Sequence, residues 1–162
     1  MRRNIAIKVL VKNRYLISII AILTLIAYSI GCAADSGTVT DYASLIDNLR
    51  KAGAVVEPRG EVAPDFLSAK RRVITVNNSN VQVWEYENVS MAETEAALVS
   101  PDGSSVRRPG VITGVDYWIS GVDWIAPPHF YKAGKLIVLY VGESEAVIDA
   151  LESVLGPQFA GH

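Results

Sequence analysis

Residues 15–30, YLISIIAILTLIAYSI, run for sixteen positions without a charged side chain, and nothing else in the chain constrains its fold as much. As a helix the run extends about 24 Å, short of the ~30 Å hydrocarbon core of a bilayer. Residues 31–34 bring the uncharged stretch to twenty, which is enough to span. Five bases, Arg2, Arg3, Lys8, Lys12 and Arg14, precede it, and no acid occurs before Asp35. A basic segment followed by an apolar one is an export address, and its bases belong on the cytoplasmic side. An amphipathic helix of a globular core would instead mix acids and bases along one face.

The run ends in Ser29-Ile30-Gly31-Cys32, which holds the chain's single cysteine. This segment resembles a bacterial lipoprotein signal, in which a small residue precedes a cysteine that is lipidated and becomes the new N-terminus. The resemblance implies Cys32 as the lipidation site and residues 1–32 as the export segment. An uncleaved signal anchor, a single N-terminal membrane helix, and an ordinary cleaved signal stay open as alternatives. All three place residues 33–162 on the extracytoplasmic side of the cell membrane. A lone cysteine is more often a buried, inert thiol, but position 32 lies at the membrane end of the segment. One cysteine also excludes an intrachain disulfide, a Cys-cluster zinc site and an iron–sulfur cluster.

Beyond residue 32 the chain carries ten basic and seventeen acidic residues, a formal charge of −7. An acidic exported domain is a poor match for nucleic acid, because neutralising phosphates needs clustered Lys and Arg. The runs Lys70-Arg71-Arg72 and Arg107-Arg108 are short, and read as solvated strand or loop edges. A contact with a polyanion or a lipid headgroup is the sharper alternative.

Residues 33–39 are small and polar and read as a tether of at most ~25 Å, leaving residues 40–162 as the domain. Tyr42, Leu45, Ile46, Leu49 and Ala52 form one apolar stripe of a helix over 41–52, capped by Thr40 or Asp41 and stopped by Gly53. A short strand over 54–57 follows, then an irregular stretch with Pro58, Gly60 and Pro64. Two β-rich runs, 72–76 and 81–86, flank Asn77-Asn78-Ser79-Asn80 and read as a hairpin. Ser90 and Glu93 have capping-box spacing and open a second helix through about residue 99, followed by a loop to about 114. Residues 115–125 read as a strand, 126–134 as a connection and 135–141 as the most apolar strand of the chain. Ser144 caps a third helix that Gly156-Pro157 stops.

The order α-β-ββα-ββα predicts an α+β fold, with a single antiparallel sheet of about five strands and three helices. A ferredoxin-like sandwich is the nearest analogue. Residues 136–141 show no polar alternation, so that strand is expected to be central and covered on both faces. The first helix, a partner or a second copy of the chain are the candidates for the second cover.

Chemistry finds little footing. His129 and His162 are the two histidines, the latter terminal, and no Gly-x-Ser-x-Gly, Ser-x-x-Lys or His-Glu-x-x-His pattern occurs. Asp116, Asp123 and His129 make the one plausible mixed metal set, and Asp102 reads better as turn chemistry than as part of a calcium loop. The glycines at 103, 110, 114 and 121 lack the spacing of a phosphate cradle, so no cofactor is expected. Trp84, Trp118 and Trp124 fall in predicted strands, and Trp118 and Trp124 share a face if Gly121 does not bulge. They are core aromatics or an exposed patch suited to a partner. Pro127-Pro128-His129-Phe130-Tyr131-Lys132 is the best local candidate for a recognition loop. Its plain alternative is a tight turn with Phe130 or Tyr131 plugging the core. Two sequons, at Asn77 and Asn88, matter only in a eukaryotic secretory route.

Residues 42–53, Val99-Ser100-Pro101-Asp102-Gly103-Ser104-Ser105, 126–141 and 155–161 carry a further resemblance. Over residues 40–161 the chain resembles a group of small bacterial envelope lipoproteins with no established activity, so the resemblance brings no catalytic residues. The expectation is a membrane-tethered extracytoplasmic module that binds an envelope protein or a small ligand and performs no chemistry. Trp118, Trp124, His129, Phe130, Tyr131 and Lys132 are its candidate binding residues. A structural protein of the cell envelope that self-associates is the alternative, and a small hydrolase or metal-dependent enzyme the third.

Overall fold

The computed structural model describes residues 37–63, 65–109 and 117–161, with the side chains of 108, 109 and 117–120 excepted. Residues 1–32, the expected export segment with Cys32, therefore lie outside the described residues. Among the described residues no helix is long and apolar enough to cross a membrane.

Helix α1, Tyr42–Lys51, starts where the sequence expects. The Asp41 side chain accepts from Ser44 N at 2.9 Å and Ser44 Oγ accepts from Asp41 N at 3.0 Å, so two orphan amides are satisfied reciprocally. Arg50 and Lys51 complement the dipole of the last turn. Strands β1 (Val56–Val62), β2 (Arg71–Val76) and β3 (Ser79–Glu85) follow. Asn77 and Asn78 join β2 to β3 at φ of 48° and 67°, the left-handed pair that a tight hairpin turn needs and that Asn tolerates. Helix α2, Val89–Ala96, begins one residue before the Ser90 capping box read from the sequence. Its cap is Asn88, whose side chain accepts from Met91 N at 3.0 Å.

The last third departs further from expectation. Ser105–Pro109, read as loop, is strand β4, and Tyr117–Gly121, the core of the expected 115–125 strand, is β5. These two form a separate ribbon, and β4 also bridges Val99 through Val106. The expected connection at 126–134 is strand β6, Pro128–Ala133, which forms a hairpin with β7, Leu136–Val141. Pro127-Pro128 read as a breaker, yet proline is tolerated as the first residue of a strand. Helix α3, Glu145–Leu155, and the two-residue strand β8, Ala160–Gly161, complete the chain. The two ββα units are thus β2-β3-α2 and β6-β7-α3.

Among the described residues the fold is α+β, with three helices and one antiparallel sheet of six strands in the order β1-β2-β3-β7-β6-β8, beside the small β4–β5 ribbon. Strand β7 is central, as its unbroken apolar run demands. Leu136, Val138 and Tyr140 point to the face covered by α1 and α3, where Leu45, Leu49, Val147 and Leu151 meet them. Ile137 and Leu139 point to the other face, under Ala92 and Ala96 of α2, Leu67, Val99 and Val106. Both covers come from within the chain.

The sheet edges are blunted. Beyond Val56 every residue of β1 is exposed, and Pro58, a register shift between Pro58 and Gly60, and alternating charges occupy that edge. The opposite edge, β8, has only two residues.

Candidate functional site

The residues singled out in the sequence do not converge on one surface. Phe130 and Tyr131 are fully buried and point to opposite faces of the sheet. Phe130 packs against Trp124 and Phe159 at centroid distances of 6.0 Å, and against Phe66 at 6.4 Å. Trp124 plugs the same cluster and donates its Nε1–H to Gly103 O at 2.8 Å. These are core aromatics, and the polar handle of Trp124 is satisfied. Burial raises the Tyr131 hydroxyl to about 12, helped by Glu152 and Asp149. Lys132 is partly exposed, its Nζ 4.0 Å from Glu93. Trp118 lies opposite Arg108 in the β4–β5 register, and its side chain falls outside the described residues.

His129 is held on every side. Its Nε2–H donates to Gly142 O at 3.0 Å, Nδ1 lies 2.9 Å from Gln158 Oε1, and the ring stacks on Tyr140. The Tyr140 hydroxyl accepts from Ser144 N at 3.1 Å. The imidazole therefore ties the residues before α3 to those after it. A general base needs a nitrogen facing substrate, and both of these are engaged. Asp116 of the candidate metal set lies outside the described residues, and among the described residues no three His, Cys, Asp or Glu side chains converge. Asp102 closes its own turn: hydrogen bonds from the Ser100 and Ser104 hydroxyls and from Ser104 N hold its carboxyl at about 2.

A cleft of about 390 Å³ opens instead where β1 and β3 end and β2 begins, against the first turn of α2. Glu61, Lys70, Arg72, Glu85, Glu87 and Met91 are among its lining residues. The β2–β3 register sets Arg72 opposite Val83, two residues from Glu85 on the same face. Arg72 Nη1 donates to Glu85 Oε2 at 2.6 Å, and Lys135 Nζ approaches Oε1 at 3.1 Å. Tyr42 N donates to that same oxygen at 3.4 Å, and the Arg72 guanidinium sits 4.6 Å from the Tyr42 ring centroid. Burial alone would raise the Glu85 carboxyl, but the hydrogen bonds from Arg72 and Lys135 outweigh it and hold the group below its usual range. Burial raises the Tyr42 hydroxyl, partly offset by Arg72. This cluster fastens the start of α1 to the end of the hairpin.

The outer wall of the cleft is a strap, residues 66–69, that follows no regular structure. Its buried end, Leu67, enters the core, and Phe66 lies against Trp84 at 5.3 Å. Arg71 Nη1 pairs with Asp65 at the base of the strap, and Glu95 Oε2 accepts from Ser68 N at 3.2 Å. The cleft thus combines a partly apolar floor, where Met91 is 43% exposed, with charged groups of both signs.

In the sequence, Lys70-Arg71-Arg72 reads as a solvated edge, or as a polyanion or headgroup contact, and Glu85, Glu87 and Met91 carry no site signal of their own. The available signal was the pair Arg72 and Glu85 at the open ends of a two-stranded hairpin, a cross-strand neighbourhood for opposite charges. Comparison with protein-family models, with curated proteins and with solved structures finds no match to the chain.

Proposed function

We propose that the protein is a membrane-anchored extracytoplasmic binding module of the bacterial cell envelope that recognises its partner through the Arg72–Glu85–Met91 cleft and performs no chemistry. The cleft carries this reading: convergent charged groups and an exposed Met91 stand together on a rigid sheet end. The engagement of both His129 ring nitrogens supports the non-catalytic part. Anchorage rests on the n-region, the apolar run and Cys32, with lipidation of Cys32 the preferred form. Pro58, the bulge beside it and the charged β1 edge weigh against growth of the sheet from copy to copy.

A photoreactive side chain at position 91 of the full chain, in intact cells, tests the proposal. Adducts from position 91 and none from the exposed control position 55 are expected. Adducts from 55 alone, or none from either, would overturn it. For the anchor, Cys32→Ser is expected to abolish acyl labelling and release the domain from membranes. Unlabelled protein that stays membrane-bound would instead indicate an uncleaved helix.

A further inference from the structure

We propose that the cleft is one end of a peptide-binding groove whose occupant is an extended, apolar segment carrying a basic side chain. This rests on the binding-module reading and names what its site takes. Shape narrows the ligand, because a depression of about 160 Å³ shares Ser68 and Met91 with the cleft and extends it to Thr94 and Glu95. The joined groove runs between the strap and the outer face of α2, which suits a chain better than a compact solute.

The main chain of the strap points the same way. Ser68 N–H is taken by Glu95, whereas half-buried Ala69 makes no hydrogen bond among the described residues. An extended peptide can supply the missing carbonyl and N–H, as it does when it adds to a free edge.

Charge fixes the side chain. Lys70 already faces Glu61 at 3.7 Å, and Arg72 faces Glu85, whose other oxygen takes Lys135. Beside α2, among the described residues, Glu87 makes no ion pair and Glu95 accepts only the Ser68 amide. The uncompensated charge is acidic and lies there, so the complement is a cation. Exposed Met91 gives the neighbouring apolar side chain an adaptable seat.

The test uses the full chain in nanodiscs and fluorescence anisotropy with a labelled peptide of four Val-Lys repeats. Its Val-Glu counterpart is the control, and spermidine the competitor. Saturable binding of the Val-Lys peptide alone is expected. Glu87→Gln with Glu95→Gln should weaken it about threefold to tenfold at low salt, and Met91→Ala about fivefold. All three side chains are at the surface, and an unchanged melting temperature verifies that the variants fold. Equal binding of the Val-Glu peptide, full displacement by spermidine, or affinity unchanged in the variants would overturn the proposal. If the Val-Glu peptide binds and Met91→Ala weakens it, the ligand class fails while the binding-module reading survives. If no peptide responds to Met91→Ala, both fall.

Discussion

Truncating Phe130 to alanine removes the ring that joins Phe66, Trp124 and Phe159 beneath the β4–β5 side of the sheet. The side chain is fully buried, and its neighbours are held from behind by the sheet and by the Trp124–Gly103 hydrogen bond. The site cannot collapse onto the vacancy, so the cost falls in the range of about 3–5 kcal/mol for a buried Phe→Ala change. That is a large fraction of the roughly 5–15 kcal/mol that holds a domain of this size together. With a urea slope of about 2 kcal/mol per molar, the unfolding midpoint of fragment 33–162 drops by about 2 M. Phe130→Leu keeps most of the volume and should lose no more than about 1.5 kcal/mol. Lys132→Ala, beside it but at the surface, should stay within about 0.5 kcal/mol of wild type. A Phe130→Ala midpoint unchanged at the same slope would refute the placement of Phe130 in the core.

Three further outcomes are expected. The folded Glu85 carboxyl lies below its ordinary 4.5, so its stabilisation is complete above that value and is lost as pH falls through the depressed one. Urea midpoints at pH 7 and pH 3 should therefore differ less for Glu85→Gln than for wild type, and an equal drop would count against the ion cluster. Gly134 has φ of 53° and a Cβ built there would lie 2.5 Å from Thr40 O, so Gly134→Ala should cost about 1–3 kcal/mol; calorimetry checks this. His129→Leu strands Gly142 O and Gln158. It should destabilise by about 1–3 kcal/mol, with faster amide exchange at both ends of α3.

The elements that local chemistry specifies were legible in the sequence. Thr40 or Asp41 marks the start of α1, the Asn77-Asn78-Ser79-Asn80 cluster the hairpin, and the apolar run 136–141 a doubly covered central strand. What escaped was set by long-range pairing. Nothing local tells that Pro128 begins a strand beside β7, or that Ser105–Pro109 finds a partner in β5. The strand that begins at Pro128 decides between the two readings of 127–132: Phe130 and Tyr131 lie in the core, and His129 is a structural tie. The cleft escaped for a related reason: Glu61, Arg72, Glu85 and Met91 belong to four separate elements, and only the register brings them to one end of the sheet.

Hydrogen exchange on the full chain, compared between native membranes and purified protein, tests most directly whether this is a binding module that acts through the cleft. The account expects added protection in native membranes at the amides of Ser68 to Lys70 and at the start of α2, with β1 unchanged. Protection confined to β1 would mean self-association through the sheet edge. No difference at the strap and the α2 turn would contradict recognition through the cleft.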